Sequence, residues 1–496
     1  MTPCRLLKMK IAFVTTECVP YAKIGGLADV AGSLPKALEK LSCEVKIFLP
    51  KYHSIDESKH GLRYNWKVGE MLIRVNGIAR SVHLHQAKLP DSNIDVNFID
   101  CPYYFNRGRI YTNDIDEDER FILFSKGVIE SLQRFGWTPD IIQCNDWQTG
   151  LIPLLIKDNY NWDRMFDNTA TVFTIHNIGY QGRFSKSTLF AAEIRGDLYY
   201  PNGPVEFEDS VSFMKAGIVF SDLINTVSNK YSHEILTEEY GAGLNKILHL
   251  RKKDVYGILN GIDYEEWNPE TDKFLPYKFS AKDLSGKTKN KKFLMDHFNL
   301  PFDENRPLIG VVSRLVMQKG FDIFSGAINE LMNLNAQWII LGSGEDRYES
   351  FFRGLPQYFP GKIGTYIGYN NELSHLIEAA ADIFLMPSRY EPCGLNQIYS
   401  LKYGTVPVVR KTGGLADTVK DWDEENYYGF DHGNGFSFYD YTSFALSTSV
   451  ERAVIVFKQK DIWKKIQHNG MKLDFSWKKS AEKYLELYRL AKEKRG

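Results

Sequence analysis

The chain has 496 residues, too many for one ordinary core, so two domains of roughly 200–250 residues each are expected. With 43% hydrophobic and 25% charged residues it reads as globular, which excludes a disordered or fibrous chain. Its 61 Lys and Arg stand against 62 Asp and Glu, and the formal charge of −1 excludes a bulk pull toward nucleic acid or an anionic membrane.

The N-terminal stretch Met1 to Lys10 is short and mildly basic and passes directly into the run Ile11-Ala12-Phe13-Val14, with Met9 as an alternative start. No signal-like apolar region and no apolar stretch of about 18 residues follows, so a cytoplasmic protein is expected. Cys4, Cys18, Cys43, Cys101, Cys144 and Cys393 form no C-x-x-C pair, so reduced thiols are expected rather than a zinc cluster or a disulfide framework. Short apolar, β-branched runs then alternate with helical periodicity, the pattern of parallel α/β sheets. Strands are predicted at 11–16, 44–48, 96–99, 140–144, 171–175 and 223–227, with helices at 27–41, 118–135 and 150–158. After a polar, Lys-rich stretch from Asn268 to Lys292 the rhythm resumes. Strands are predicted at 308–312, 338–341, 365–367, 382–386 and 406–409, and helices at 321–331, 373–380 and 395–403. The domain junction is placed near residue 255, giving domains 1–255 and 256–476 and an amphipathic tail at 477–496. The fold class expected is therefore α/β, two doubly wound Rossmann-like domains facing a central cleft, with ligand-binding loops at the strand C-termini.

Five segments carry chemistry. Lys23-Ile24-Gly25-Gly26-Leu27-Ala28-Asp29 follows the first strand and opens a helix, so its N–H groups and Lys23 are placed to hold an anion; an ordinary Gly-Gly turn with a solvated lysine is the plain alternative. Lys411-Thr412-Gly413-Gly414-Leu415-Ala416-Asp417 repeats that pattern in the second half and predicts a second anion-binding loop. Arg314 and Lys319, in Ser313-Arg314-Leu315-Val316-Met317-Gln318-Lys319-Gly320, follow a strand and are positioned to clamp a diphosphate. Glu391, before the Pro392-Cys393-Gly394-Leu395 turn, is placed either to bind sugar hydroxyls beside free helix N–H groups or simply to cap that helix. His176 and Asn177 after one strand, and Asp146 and Trp147 after another, suit a polar sugar pocket, although buried structural roles are common for such residues.

Together these segments resemble the bacterial glycogen synthase and plant starch synthase family of glycosyltransferases, from Ile11 to Phe475-Ser476-Trp477. K-x-G-G-L, H-N-x-x-Y-Q-G, S-R-L-x-x-Q-K-G and E-P-C-G-L occur in the family's order. The resemblance implies a GT-B architecture whose C-terminal helix returns to the first domain. It also implies metal-free, cofactor-free retaining transfer of glucose to the non-reducing end of an α-1,4-glucan. The donor implied is ADP-glucose, with UDP-glucose the alternative. Carried over by motif, His176, Arg314, Lys319 and Glu391 are the expected catalytic residues. Lys23, Gly26, Asp29, Phe105, Asp146, Asn177, Cys393, Gly394, Leu395, Thr412 and Gly413 are expected to bind the donor, with Phe105 over the nucleotide base in place of the family's usual tyrosine. Ile24 departs from the commoner bacterial Thr, which bears on donor preference. No nucleic-acid or membrane partner is expected. A nucleotide-sugar epimerase or another donor transferase on the same architecture is the competing enzyme class. An NAD-dependent oxidoreductase fares worse, because Gly342-Ser343-Gly344 lacks the third fingerprint glycine, and a phosphorylase would need a cofactor lysine not identified here. A glucan-binding scaffold would have lost the phosphate-clamp residues, which this chain keeps.

Overall fold

The computed structural model describes residues 8–496. These divide into two compact units, one formed by residues up to Val227 with Ser232–Gly261 and Trp477–Gly496, the other by Ser228–Tyr231 and Ile262–Ser476.

In the first unit the strands β1 (Lys10–Val14), β2 (Glu44–Pro50), β3 (Asp95–Asp100), β4 (Ile141–Asn145), β5 (Ala170–Ile175), β6 (Leu223–Thr226) and β7 (Val255–Gly257) pair in parallel, in the order β7-β6-β5-β4-β1-β2-β3. Helices α1 (Gly26–Lys40), α2 (Glu117–Phe135), α3 (Leu151–Lys157) and α4 (Phe213–Phe220) connect them. Strands covered on both faces are apolar along their whole length rather than alternating, and Ile11 to Val14, Ile141, Ile142, Val172 and Phe173 are all fully buried. The chain winds from β1 out to β3 and then returns to the other side of β1 as β4. The strand order therefore reverses between β1 and β4, and a crevice opens at their carboxyl ends. The antiparallel strands Met71–Val75 and Ile78–Lys88, which extend the sheet beyond β3, were not anticipated from the sequence. Burial alternates along Met71–Val75, and a one-faced strand carries half the apolar signal of a core strand.

The second unit repeats the winding with six parallel strands, β8 (Leu308–Leu315), β9 (Gln337–Gly344), β10 (Ile363–Ile367), β11 (Ile383–Met386), β12 (Val406–Arg410) and β13 (Phe436–Phe438), ordered β10-β9-β8-β11-β12-β13. Its reversal lies between β8 and β11. Helices α5 (Asn371–Ala380), α6 (Asn396–Lys402) and α7 (Gly413–Thr418) belong to this unit. Gly342 and Gly344 lie within β9, where a Cβ would meet the Ser313 and Leu315 carbonyls at 2.1 and 2.4 Å, so these glycines serve strand pairing rather than a nucleotide. The expected helix at 321–331 is two, Phe321–Gly326 and Ile328–Asn333, parted at Ala327. The Lys-rich stretch before β8 includes the start of a helix, Ser285–His297, rather than a loose connection. Lys287 is buried there, donating to the carbonyls of Ala379 and Tyr403 at 3.0 and 3.2 Å, and Lys291 pairs with Asp382 at 2.8 Å. Two of the lysines that made the segment look solvated are thus core donors.

The last helix, α8 (Trp477–Arg495), packs in the first unit and buries Ala481, Tyr484, Tyr488 and Ala491. Thr174 Oγ1 donates to Asn225 Oδ1 at 2.5 Å and Asn225 Nδ2 donates to the Tyr484 hydroxyl at 3.1 Å, so a buried polar chain ties α8 to β5 and β6.

Candidate functional site

In the first unit, the loop after β1 carries Lys23 and the loop after β4 carries Asp146, so both loops leave adjacent strand ends at the strand reversal. Gly25 precedes α1, and a Cβ built on it meets nothing within 4 Å, so the loop is open on that side. Lys23 Nζ lies 2.6 Å from Asp29 Oδ1 in the first turn of α1, and burial pushes the Asp29 carboxyl up against the opposing pull of that lysine. The N–H groups of Ile24 and Gly25, expected to face an anion, instead donate to Glu17 Oε2 at 2.7 and 2.8 Å. The Ile24 side chain points outward, 55% exposed.

Asp146 has φ of 59° and ψ of 177°, a conformation that favours glycine and costs about 1–3 kcal/mol in other residues. It is held there because its carboxylate accepts the His176 N–H at 2.8 Å and its own N–H donates to the Thr174 carbonyl at 2.9 Å. Enclosure by protein pushes the Asp146 carboxyl up to about 7, with the two backbone N–H groups of His176 and Asn177 opposing. The same enclosure lowers His176 to about 3, which keeps its imidazole neutral. Asn145 Nδ2 donates to the Val14 carbonyl at 2.9 Å, so its Oδ1 faces His176 Nε2 at 2.9 Å and takes that proton. The Nδ1 of His176 is left as an acceptor. Asn177 Oδ1 accepts the Gly179 N–H at 3.0 Å and shapes the turn rather than reaching outward. Trp147 packs on Phe121 and Phe213, and a Cβ on Gly182 would strike its ring at 2.1 Å, so this half-buried aromatic is committed to packing against core rings.

Phe105 corrects an expectation. Its ring is fully buried, edge-on to Tyr52 at 5.9 Å and facing Arg120 at 5.7 Å, and it offers no face to a base. The exposed ring of that segment is Tyr103, with the Arg80 guanidinium 3.7 Å from its centroid. An aromatic run in sequence does not say which ring turns inward.

In the second unit, Arg314 stands exposed at the carboxyl end of β8, and its guanidinium makes no hydrogen bond or ion pair among the described residues. Lys319, one short turn later, reaches across the reversal point to Glu391 after β11, Nζ to Oε2 at 2.6 Å, and the Ser388 hydroxyl donates to the same oxygen at 2.9 Å. Glu391 is therefore not a helix cap. The two loops are also sewn together through backbone, the Arg389 N–H donating to the Gln318 carbonyl at 2.8 Å. Cys393 is buried, and Gly394 needs φ of +72° for the turn into α6.

The second Gly-Gly loop is packed differently from the first. Lys411 pairs with Glu424 and donates to the Tyr439 hydroxyl at 2.7 Å, so its charge is committed internally. A Cβ on Gly413 would strike the Glu391 carbonyl at 1.9 Å, and one on Gly414 the Cys393 carbonyl at 2.0 Å. These glycines, with the buried Thr412, let the strand-end loops after β11 and β12 touch. Of the second anion-binding loop expected from sequence, the lysine is thus turned to internal partners, while its glycines pack against the Glu391–Cys393 backbone. Among the described residues no group of three or more His, Cys, Asp or Glu side chains is arranged to hold a metal ion, and no helix is long and apolar enough to cross a membrane.

Two family models match the chain, a starch synthase catalytic domain over residues 10–250 and the group 1 glycosyl transferases over residues 293–462. A glycogen synthase of Thermosipho africanus is 44% identical, with 98% of this chain and 100% of that protein covered. A glycogen synthase of Thermotoga maritima is 42% identical at 98% and 100% coverage. Among solved structures, the catalytic domain of starch synthase IV from Arabidopsis thaliana, bound to ADP and acarbose, superposes with a TM-score of 0.90 at 35% identity, covering 98% of this chain and 100% of that one. A sucrose-phosphate synthase from Thermosynechococcus elongatus shares the fold, with a TM-score of 0.59 at 16% identity over 97% of this chain and 99% of that one.

Proposed function

The chain belongs to the glycogen and starch synthase family and is a glycosyltransferase of α-glucan synthesis, and from that premise we propose that it moves glucose from ADP-glucose, with retention, to the 4-hydroxyl at the non-reducing end of an α-1,4-glucan in the cytoplasm. The observation that carries this reading is the cluster at the β8/β11 reversal. There an unpaired Arg314 and a Lys319 held by Glu391 concentrate positive charge at strand ends, where α/β sheets bind ligands. The ADP in the related starch synthase domain supports an adenine nucleotide over UDP-glucose.

In this reading Arg314 and Lys319 hold the diphosphate and take up the charge that grows on it as the glycosidic bond breaks. Glu391 gives up its lysine partner to the donor and turns toward the transferred glucose, while Cys393, Gly394 and Leu395 line the same side. Lys23, with Gly26 and Asp29 beside it, adds a mobile charge for phosphate. His176, neutral with an open Nδ1, offers a hydrogen bond to a sugar hydroxyl rather than a charge, and Asn177 fixes its loop. Attack comes from the face the diphosphate leaves, which preserves configuration. Arg314→Ala lowers transfer by about 10²-fold or more on this account. The test is labelled glucose incorporation into glycogen from ADP-glucose and from UDP-glucose side by side. ADP-glucose is expected to be preferred, and no incorporation from either donor refutes the assignment. An epimerase would release no nucleotide that depends on glycogen.

A further inference from the structure

Glu17 was not among the residues singled out by sequence, and the chemistry above makes no use of it. It is 4% exposed, and three donors converge on its carboxylate. The N–H groups of Ile24 and Gly25 donate to Oε2 at 2.7 and 2.8 Å, and the Tyr111 hydroxyl donates to Oε1 at 2.7 Å. The Tyr111 oxygen also lies 3.0 Å from Thr16 Oγ1, so the segment around residue 111 is linked to the loop after β1 through this one side chain. Burying a carboxylate is costly unless its lone pairs are satisfied. Setting it next to a loop meant for phosphate adds repulsion as well, so its presence calls for an offsetting gain.

We propose that Glu17 is a positioning residue for the donor-phosphate loop, an internal anion that occupies the N–H groups of Ile24 and Gly25 in the K-x-G-G segment and thereby fixes where Lys23 and the start of α1 present themselves. The geometry explains the length of the motif. Residues 24 and 25 are spent on Glu17, Gly25 leaves open space beside it, and Gly26 begins α1 with the exposed backbone that remains for a ligand. Without the carboxylate the loop has two unpaired N–H groups, and it must rearrange or recruit solvent to satisfy them. The inference rests on the reading of Lys23 as a phosphate contact.

The test uses the full-length enzyme and measures ADP binding by calorimetry alongside steady-state kinetics. Glu17→Ala is expected to raise the ADP Kd and the ADP-glucose KM by about tenfold, the size of one or two lost loop hydrogen bonds, with the glycogen KM unchanged. Glu17→Gln keeps an oxygen for both N–H groups and is expected within about threefold of wild type, because rescue needs only the acceptor and not the charge. Tyr111→Phe removes one donor to the carboxylate without touching the loop, and a rise in ADP Kd of about threefold is expected if Glu17 is its anchor. It also keeps the proposal open to refutation should Glu17→Ala fail to fold. A folded Glu17→Ala that binds ADP like wild type, or a Tyr111→Phe that leaves ADP binding untouched while Glu17→Ala is unfolded, overturns the proposal. Lys23→Ala separates the two layers. If it leaves ADP affinity unchanged, the phosphate reading of the loop fails; if it weakens ADP while the Glu17 variants do not, only the positioning role fails.

Discussion

Replacing Lys319 by Met removes the ammonium but keeps most of the stem, and the consequence can be worked from the pair it forms. At 2.6 Å, two unit charges in a medium of effective dielectric about 20 attract by about 6 kcal/mol. Desolvation takes back most of that, because the Glu391 side chain is only 7% exposed and that of Lys319 19%. What the substitution does is strand Glu391 with only the Ser388 hydroxyl. The cost is set at about 2–4 kcal/mol, somewhat under that of a fully buried pair because the lysine end keeps some water. For a unit of about 200 residues this lowers the melting temperature by about 5–10 °C. Glu391→Gln should cost less by itself and should relieve the Lys319→Met defect, giving a coupling of about 1–3 kcal/mol in a double-mutant cycle. Thermal melts read the stability arm. Glucose transfer reads the catalytic arm, where Lys319→Met is expected to lose about 10²-fold or more and Glu391→Gln is not expected to restore it. Additive melting shifts with no coupling, together with transfer within threefold of wild type, would refute both the pair and its catalytic use.

Asp146→Asn should raise the melting temperature at pH 8 more than at pH 5. The folded carboxyl is pushed up to about 7 from an ordinary 3.8, so its stabilising contribution is complete below the unfolded value and is lost as pH rises through about 7. Asn keeps the acceptor and tolerates positive φ, so an equal shift at both pH values would show that ionisation is not the cause. Gly413→Ala should destabilise the second unit by about 2 kcal/mol or more and depress transfer as well, since φ of +45° and the Glu391 carbonyl both oppose a Cβ. A Gly413→Ala enzyme that melts and transfers like wild type would mean that the loops after β11 and β12 do not depend on each other.

The sequence by itself determined the two parallel sheets, because strands covered on both faces are written as unbroken apolar runs, and Ile11–Val14 and Leu308–Val311 need no context to be read. It also located Lys23, Arg314, Lys319, Glu391, Asp146 and His176 at strand ends, where the loops of such sheets carry ligands. What it could not supply was partnership across long separations. Lys319 and Glu391 are 72 positions apart and meet only because β11 returns beside β8. Two lysine loops that share six of seven residues have different surroundings, since the first has open space beside Gly25 while the second is filled by the Glu391–Cys393 backbone. Phe105 turns inward instead of toward a base for the same kind of reason, as the ring that faces Tyr52 and Arg120 is chosen by packing. Local residue chemistry sets what a side chain can do; which charge is left open and which is already matched depends on neighbours that only the folded chain brings within hydrogen-bonding range.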